Sequence, residues 1–316
     1  MQITGAQLFV KALKEEGVEV LFGYPGGQAI DLFDALHGET GIRFILPRHE
    51  QGLVHAADGY ARSTGRPGVC LVTSGPGAAN LVTGIATANY DSVPLVCFTG
   101  QVPTSLIGND AFQEVDITGI TRSICKYAVT VRTRESLGEI IKKAFHIATT
   151  GRPGPVLVDL PKDIQREYGS SCYPDQVKIR GYRPGFAVHG GQIKKALERL
   201  NQAKRPVFLV GGGVNIARAE EAMTRLAERT GVPVVTTIMG KGASRPRIRC
   251  MRAISGFTEA LPPIRRSAAA TSSSPSAPAS MTASPVRTGS LPGMQPSSTW
   301  TSIPLPFPEI SPSIFP

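Results

Sequence analysis

Continuous apolar runs of strand length constrain the fold of this 316-residue chain more than any other feature. Residues 69–73 and 94–98 are almost entirely apolar, a composition typical of strands covered by helices on both faces. Shorter apolar segments at 20–22 and 156–158 alternate with amphipathic helical patterns, the first of which follows a capping box at 4–7. Residues 1–167 are therefore predicted to form a doubly wound parallel α/β sheet.

A second, incomplete α/β unit is predicted at residues 189–243, after a loop-rich linker at 168–188. A helical pattern at 193–200 precedes a buried strand at 206–210, which opens into Gly211, Gly212 and Gly213. A helix from about residue 219 and a strand at 232–237 complete the pattern. Glycines after a strand let the backbone approach a phosphate or a ribose closely, and a plain tight turn is the alternative for this triplet.

Composition changes abruptly after Ala243. Of the 73 residues at 244–316, 15 are Ser and 13 are Pro, half of the 26 prolines in the chain. A disordered, low-complexity tail is one interpretation. The other is out-of-frame translation, because a one-nucleotide shift allows Leu-Tyr-Ala-Gly-Asn from the codons of 249–254 and Phe-Asn-Asp-Arg-Ile-Thr-Gly from those of 280–286. A one-base deletion after the codon for Ala243 is the prediction, which resequencing the gene there would test.

Charge, cysteine content and hydropathy argue against several classes of partner. Half of the net charge of +10 lies at 244–316, and the rest is spread over mixed-charge helices without a basic, aromatic-rich stripe, so no nucleic-acid partner is expected. Five cysteines without paired spacing predict neither a metal site nor a disulfide framework. No signal peptide, transit peptide or long apolar segment is recognised, so we expect no membrane partner and a cytoplasmic location.

Glu50 is the candidate catalytic residue. It follows a predicted strand at 43–46 and opens a helix rich in small residues. That position is the carboxyl edge of a parallel sheet, where ligands of such folds bind. A carboxylate shielded from water there is suited to proton transfer with a bound heterocycle. From position alone, the alternative is a solvated acid in the first turn of a helix.

Seven motifs, taken in order, resemble those of thiamine-diphosphate enzymes. They are Tyr24-Pro25-Gly26-Gly27, Arg48-His49-Glu50-Gln51-Gly52, Ser74-Gly75-Pro76-Gly77-Ala78-Ala79-Asn80, Gly100-Gln101-Val102-Pro103, Ile107-Gly108-Asn109-Asp110-Ala111-Phe112-Gln113-Glu114, Gly151-Arg152-Pro153-Gly154-Pro155-Val156 and Asp159-Leu160-Pro161-Lys162-Asp163. Together they are similar to the large subunit of acetolactate synthase over residues 1–243. Both peptides obtained from the shifted reading frame also look like segments that the family carries at this distance past Gly240-Lys241-Gly242.

The resemblance implies a cofactor, a reaction and partners. Glu50 would hydrogen-bond the aminopyrimidine of thiamine diphosphate and promote the imino tautomer that removes the thiazolium proton. The family decarboxylates pyruvate and adds the two-carbon unit to pyruvate or 2-oxobutanoate, in branched-chain amino-acid synthesis. It acts as a homodimer with the active site between subunits, usually with a small regulatory subunit. Its Mg²⁺ and diphosphate are held by a domain that is not recognised in this chain, so no metal ligand is predicted.

The resemblance also assigns roles to individual residues. Those assigned to cofactors are Gly26 and Gly27 beside the reacting carbon, and Arg152, Gly211, Gly212 and Gly213 on FAD in the central domain. Those assigned to the substrate channel are Pro103, Ala111, Phe112, Gln113 and Lys162, the last attracting a keto-acid carboxylate. Gln28 stands where the family commonly has alanine. Plain turns, core packing and surface charge stay open as alternatives for these residues.

Two other functions remain open. The chain could belong to another thiamine-diphosphate enzyme such as pyruvate oxidase, against which the motifs at 111–114 and 161–163 argue. It could instead be a non-catalytic remnant of the synthase, because it carries only the first of the two cofactor domains.

Overall fold

The computed structural model describes residues 2–185 and 188–243, together with the backbone of 251–253. The chain divides into two compact units, residues 1–185 and 186–316. The predicted Ser- and Pro-rich tail at 244–316 lies outside the described residues except for that three-residue segment. None of the helices within the described ranges has the length and apolar character needed to cross a bilayer.

The first unit is built on a six-stranded, entirely parallel sheet. Its elements are β1 (Gln2–Thr4), α1 (Gly5–Glu15), β2 (Val20–Tyr24), α2 (Ile30–Leu36), β3 (Arg43–Ile45), α3 (Glu50–Thr64), β4 (Gly68–Val72), α4 (Pro76–Ala79), α5 (Val82–Asp91), β5 (Leu95–Gln101), α6 (Ile117–Thr121), β6 (Tyr127–Thr130), α7 (Leu137–Thr149), β7 (Pro155–Pro161), α8 (Lys162–Arg166) and β8 (Tyr168–Ser170). The strand order is β3-β2-β4-β5-β7-β6, and β1 pairs antiparallel with β8. The predicted parallel α/β architecture is confirmed.

Helices bury both faces of this sheet. Because successive side chains of a strand point to opposite faces, Leu71 joins the core under α1 and α7, while Cys70 joins the core under α3 and α5. Cys97 of β5 lies beside Cys70 in register, and both thiols are fully buried. The predicted apolar runs are therefore strands covered on two sides, as their composition indicated.

The strand order reverses at β2. The next strand in sequence, β3, lies on one side of β2, and every later strand of the sheet lies on the other side. In open α/β sheets, ligands bind at such a reversal, in the crevice outside the carboxyl ends of the flanking strands. The crevice here lies after β2 and β4, where the chain continues as Pro25-Gly26-Gly27 and Thr73-Ser74-Gly75.

The segment predicted as a linker, 168–188, lies mostly within the first unit. β8 pairs with β1, and the hydroxyl of Tyr173 donates to Glu16 Oε1 at 2.8 Å. The hydroxyl of Tyr182 donates to the carbonyl of Thr150 at 2.9 Å, and both aromatic rings pack against the first core. The boundary between the units therefore falls after Gly185. Loop composition alone does not reveal that Tyr173 and Tyr182 pack against the first core.

The second unit has a three-stranded parallel sheet and a small core. Its elements are α9 (Gly190–Gln202), β9 (Phe208–Val210), α10 (Gly212–Ile216), α11 (Glu220–Thr230), β10 (Val234–Thr236), a 3-10 turn (Ile238–Gly240) and β11 (Met251–Ala253). The strand order is β11-β10-β9. Val210, Ala227, Val234 and Ala243 form the buried cluster. The predicted helix at 193–200 and the strands at 206–210 and 232–237 are confirmed within a few residues.

Gly84 sets how closely α5 approaches α3, the helix that begins at Glu50. A Cβ at Gly84 would lie 2.2 Å from Cγ1 of the buried Val54. We expect Gly84→Ala to lower the free energy of unfolding by about 1–3 kcal/mol, because overpacking outweighs the helix propensity gained. Urea unfolding followed by circular dichroism measures this change.

Gly59 provides the matched control for that substitution. It lies on α3, is exposed, and has no atom within 4 Å of the position of its Cβ. Gly59→Ala should raise the free energy of unfolding by up to about 1 kcal/mol. The double variant Val54→Ala, Gly84→Ala should recover part of the stability lost in Gly84→Ala. A Gly84→Ala protein as stable as Gly59→Ala would show that α3 and α5 are not in this close contact.

Candidate functional site

Glu50 is placed at the carboxyl edge of the sheet by the start of α3. His49 is the N-cap, and its Nδ1 accepts a hydrogen bond from the backbone N–H of Gln51 at 3.1 Å. Glu50 is consequently the first helical residue, and its side chain is half-buried. Its Oε2 accepts a hydrogen bond from Nδ2 of Asn80 at 2.9 Å, which ties the carboxylate to the segment after β4.

The turn after β4 passes close to the second oxygen of Glu50. A Cβ at Gly77 would lie 3.4 Å from Glu50 Oε1 and 2.8 Å from Cγ2 of Thr73, so glycine is what lets the backbone approach the carboxylate this closely. Over the described part of the chain, no hydrogen-bond donor contacts Oε1, and the buried hydroxyl of Ser74 has no partner. Glu50 Oε1, the backbone at Gly77 and the unpaired hydroxyl of Ser74 are together called the polar recess below, and they offer polar groups to a ligand at this edge.

The turn after β2 closes against the same edge. A Cβ at Gly26 would lie 2.6 Å from Cβ of Thr73, and the N–H of Gln28 donates to Thr73 Oγ1 at 3.2 Å. Gly27, in contrast, has nothing within 4 Å of its Cβ position among the described residues. Close packing therefore requires glycine at 26, whereas Gly27 leaves open space. The buried Oε1 of Gln28 also has no partner within this part of the chain.

Lys162 lies at this edge and contacts the same turn. Its Nζ donates to the carbonyl of Gly27 at 2.6 Å and lies 4.0 Å from Oδ2 of Asp31. The role predicted for the Lys162 ammonium was to attract the carboxylate of a keto acid. In the structure it supports the backbone of the Gly26-Gly27 turn, a contact that residue spacing did not indicate.

The loop after β5 lies across the Gly75 turn. Gly75 has a φ of 58°, in the left-handed region, and a Cβ there would lie 2.6 Å from the carbonyl oxygen of Gln113. Glycine is therefore required at this position both by the left-handed backbone conformation and by the close contact with Gln113. Phe112 is 84% exposed, so its side chain is not part of the core. Pro103 and Ala111, in the same loop, are half-buried.

Arg152 lies at the opposite edge of the sheet. It precedes β7, and its Nε donates to Ser92 Oγ at 2.6 Å while a terminal nitrogen donates to the carbonyl of Tyr90 at 3.1 Å. Both partners lie before β5, at the amino ends of the strands. The structure therefore gathers Glu50, Gly26, Gly27, Pro103, Ala111, Phe112, Gln113 and Lys162 at one edge of the first unit, and Arg152 at the other.

The glycines of the second unit follow β9. A Cβ at Gly212 would lie 3.1 Å from that of Met239, whereas Gly213 has nothing within 4 Å among the described residues. At the end of β10, the fully buried hydroxyl of Thr236 has no partner in the same part of the chain. This turn thus leaves backbone accessible at the carboxyl ends of two parallel strands.

Asp159 belongs to the motif at 159–163, but the sequence alone assigned no role to it. It lies in β7, is 1% exposed, and accepts hydrogen bonds from Thr99 Oγ1 at 2.6 Å, Gln101 Nε2 at 3.0 Å and Thr130 Oγ1 at 3.2 Å. Burial raises the pKa of this carboxyl to about 7, and the three hydrogen bonds oppose the shift. An acid within the otherwise apolar run at 156–160 was the available clue.

Metal ligands do not cluster in the described part of the chain. Within residues 2–185 and 188–243, no three His, Cys, Asp or Glu side chains come together as a group that could hold a metal ion. No residue of these ranges is therefore assigned to Mg²⁺.

Two stretches of the chain match known families of domains. Residues 3–120 match the family described as thiamine pyrophosphate enzyme, N-terminal TPP binding domain. Residues 193–260 match the family described as thiamine pyrophosphate enzyme, central domain. The first match includes Glu50 and both glycine turns of the polar recess, and the second includes Gly211–Gly213.

Individual relatives are similar over most of this chain. The acetolactate synthase large subunit of Haemophilus influenzae is 51% identical over 245 residues, which are 77% of this chain and 43% of the relative. The acetolactate synthase isozyme 3 large subunit of Escherichia coli is 51% identical over 76% of this chain and 42% of its own length. The probable acetolactate synthase large subunit of Methanococcus aeolicus is 51% identical over 76% of this chain and 40% of its own length.

The chain spans about two fifths of the length of these relatives. The parallel sheet, the recess beside Glu50 and the two family matches agree with one another. The chain belongs to the thiamine pyrophosphate enzymes, carries their N-terminal and central domains, and is a homologue of the N-terminal region of acetolactate synthase large subunits.

Proposed function

We propose that this chain supplies the aminopyrimidine-binding half of an acetolactate synthase active site. The observation that carries the proposal is the half-buried carboxylate of Glu50 at the strand-order reversal, held through Oε2 by Asn80 and with no donor on Oε1 among the described residues. The reaction would be decarboxylation of pyruvate and transfer of the two-carbon unit to pyruvate or 2-oxobutanoate. Thiamine diphosphate supplies the carbon nucleophile and the electron sink for both steps.

Each residue of the recess has a defined task in that reaction. Glu50 would exchange a proton with a ring nitrogen of the aminopyrimidine, and Asn80 fixes the carboxylate through Oε2 and leaves Oε1 for that contact. Gly26 and Gly77 let the two turns pack closely on Thr73, and Gly27 leaves open space at its Cβ position. Lys162 holds the turn at Gly27 in place through its carbonyl. Gln113 lies over Gly75 and closes one side of the recess.

A second copy of the chain is the proposed neighbour of this edge. Four large apolar side chains are exposed on the loops and helix starts that surround the recess: Ile30, Leu46, Leu106 and Phe112. An apolar partner surface would cover them. We also propose that diphosphate and Mg²⁺ are held by a region present in the additional length of the relatives, and that a small regulatory subunit joins the assembly, as the term "large subunit" in the names of the relatives suggests.

FAD is the proposed ligand of the second unit. Gly211, Gly212 and Gly213 lie where backbone can approach a phosphate or ribose, and the unpaired hydroxyl of Thr236 is nearby at the end of β10. A role in flavin binding stays a prediction for Arg152. A cytoplasmic location is proposed from the free thiols of Cys70, Cys97, Cys125 and Cys172.

Turnover of pyruvate tests the proposed function. The purified 316-residue chain and a chimera, in which residues 1–243 are joined to the matching remainder of the H. influenzae relative, are each given pyruvate, thiamine diphosphate, Mg²⁺ and FAD. Acetolactate is measured as acetoin after acid treatment, and peroxide is measured in parallel. We expect acetoin from the chimera.

Each other outcome has one meaning. Peroxide in place of acetoin would identify an oxidase instead of a synthase. A folded chimera without either product would overturn the proposal. Acetoin from the chimera but not from the chain would show that the 316-residue product is a non-catalytic remnant of the synthase.

A further inference from the structure

The loop between β5 and α6, residues 102–116, has no helix or strand of its own, yet it carries Pro103, Ala111, Phe112 and Gln113. Its middle is stiffened locally, because the backbone N–H groups of Gly108 and Ala111 donate to the carboxylate of Glu114 and hold the pKa of that group below its ordinary range. Those contacts lie within the loop and do not attach it to the sheet. Its attachment comes from side chains at the ends of β5 and β7.

Gln101 joins the two ends of the loop. Its Oε1 accepts the N–H of Val102 at 2.9 Å, and its Nε2 donates to the carbonyl of Val115 at 3.0 Å. The second hydrogen of the same nitrogen is donated to Oδ2 of Asp159 at 3.0 Å. The amide is 3% exposed, so these three partners replace water completely.

Asp159 fixes the orientation of that amide. In its ionised form Asp159 only accepts hydrogen bonds, so it pairs with the nitrogen of Gln101 and rejects the oxygen. A flip of the amide would place Oε1 against Asp159 and leave the N–H of Val102 facing a donor. Thr99 and Thr130 donate to the same carboxylate from the neighbouring strands, which prevents Asp159 from turning away.

Asp163 provides a second attachment near the start of the loop. Its carboxylate accepts the backbone N–H of Thr104, at 3.1 Å and 3.2 Å to its two oxygens, and also the hydroxyl of Thr104. Asp163 belongs to α8, directly after Lys162, which supports the turn at Gly27. The adjacent residues Lys162 and Asp163 therefore hold both the loop and the Gly26-Gly27 turn at the start of α8.

We propose that Asp159, Gln101 and Asp163 are positioning residues that attach the 102–116 loop to β7 and α8, and so seat Gln113 on the Gly75 turn beside Glu50. None of the three touches the recess itself. The consequence for turnover rests on the proposed function, whereas the attachment of the loop does not.

Hydrogen exchange of the 316-residue chain tests the attachment directly. Gln101→Leu keeps the side-chain size and removes all three hydrogen bonds of the amide. We expect amide exchange in residues 105–114 to rise at least about tenfold, as the loss of buried hydrogen bonds to charged and backbone groups implies. Thr149→Val is the matched control, because it removes a side-chain hydrogen bond to the carbonyl of Phe145 in α7 that does not reach the loop, and exchange at 105–114 should stay unchanged.

A milder variant guards against failure of Gln101→Leu to fold. Thr104→Val keeps the backbone N–H to Asp163 and removes only the hydroxyl contact, so a rise of about threefold at 105–114 is expected. In the chimera, Gln101→Leu should lower kcat for acetoin formation with little change in KM for pyruvate, because the loop positions groups beside the cofactor instead of binding pyruvate alone.

The two kinds of failure can be told apart. Unchanged exchange at 105–114 in both Gln101→Leu and Thr104→Val would overturn the attachment, whatever the turnover. Equal rises in Thr149→Val and Gln101→Leu would overturn it too, since the effect would then be general destabilisation. Raised exchange in the two loop variants alone, with no turnover by the unsubstituted chimera, would support the attachment and overturn the proposed function instead.

Discussion

Glu50→Gln in the chimera should lower the rate of acetoin formation by about 10²–10³-fold, within the usual contribution of general acid–base catalysis. The amide keeps the size of the carboxylate, and its oxygen can still accept the hydrogen bond from Asn80 that Oε2 receives at 2.9 Å. It cannot, however, accept and return a proton at a ring nitrogen. Binding should therefore change little while proton removal from the thiazolium ring slows.

Proton exchange at the thiazolium carbon, followed by NMR, measures that step without the later chemistry. Glu39→Gln is the matched control, because Glu39 is a surface carboxylate paired with Lys14 at 3.0 Å. It should leave both the exchange rate and acetoin formation unaltered. An undiminished exchange rate in Glu50→Gln would remove Glu50 from the mechanism.

Asp159→Asn should strongly change the dependence of stability on pH between pH 4 and pH 8. Burial raises the pKa of Asp159 to about 7 from an ordinary value of 3.8, so the folded protein holds this proton more tightly than the unfolded chain does. The stabilisation is complete below pH 3.8 and is lost as the pH rises towards 7. The wild-type free energy of unfolding, minus that of Asp159→Asn, should fall by about 4 kcal/mol between pH 4 and pH 8.

Urea unfolding of both proteins at several pH values gives this difference directly, because groups common to the two proteins cancel. Asp163→Asn serves as comparison, since its carboxylate is only half-buried. A difference between wild type and Asp159→Asn that stays constant from pH 4 to pH 8 would mean that the carboxyl titrates alike in the folded and unfolded states.

The architecture could be predicted because its causes are local. Uninterrupted apolar runs at β4 and β5 identify strands buried on both faces, and the capping box of Thr4 and Gln7 fixes the start of α1 through hydrogen bonds of 3.0 Å and 3.2 Å. The strand at Tyr127–Thr130 was not predicted. It is an edge strand with half-buried side chains, so it lacks the continuous apolar run that distinguishes the central strands.

The candidate site was predictable in its residues but not in its contacts. Glu50 could be placed at the sheet edge from the strand and helix patterns around it. The hydrogen bond from Lys162 to Gly27 joins positions 135 apart in sequence, and the one from Gln101 to Asp159 joins positions 58 apart. Such pairings depend on the order of strands in the sheet, which no local pattern encodes.

The paired thiols of Cys70 and Cys97 have a chemical consequence. A thiol reacts as its thiolate, and both contact with Cys70 and burial raise the pKa of Cys97 well above its ordinary range. Cys172 is exposed to solvent and has no such protection. Electrophiles and oxidants would therefore modify Cys172 before Cys70 and Cys97, for as long as β4 and β5 stay together. Modification of the buried pair would then report that the sheet has opened.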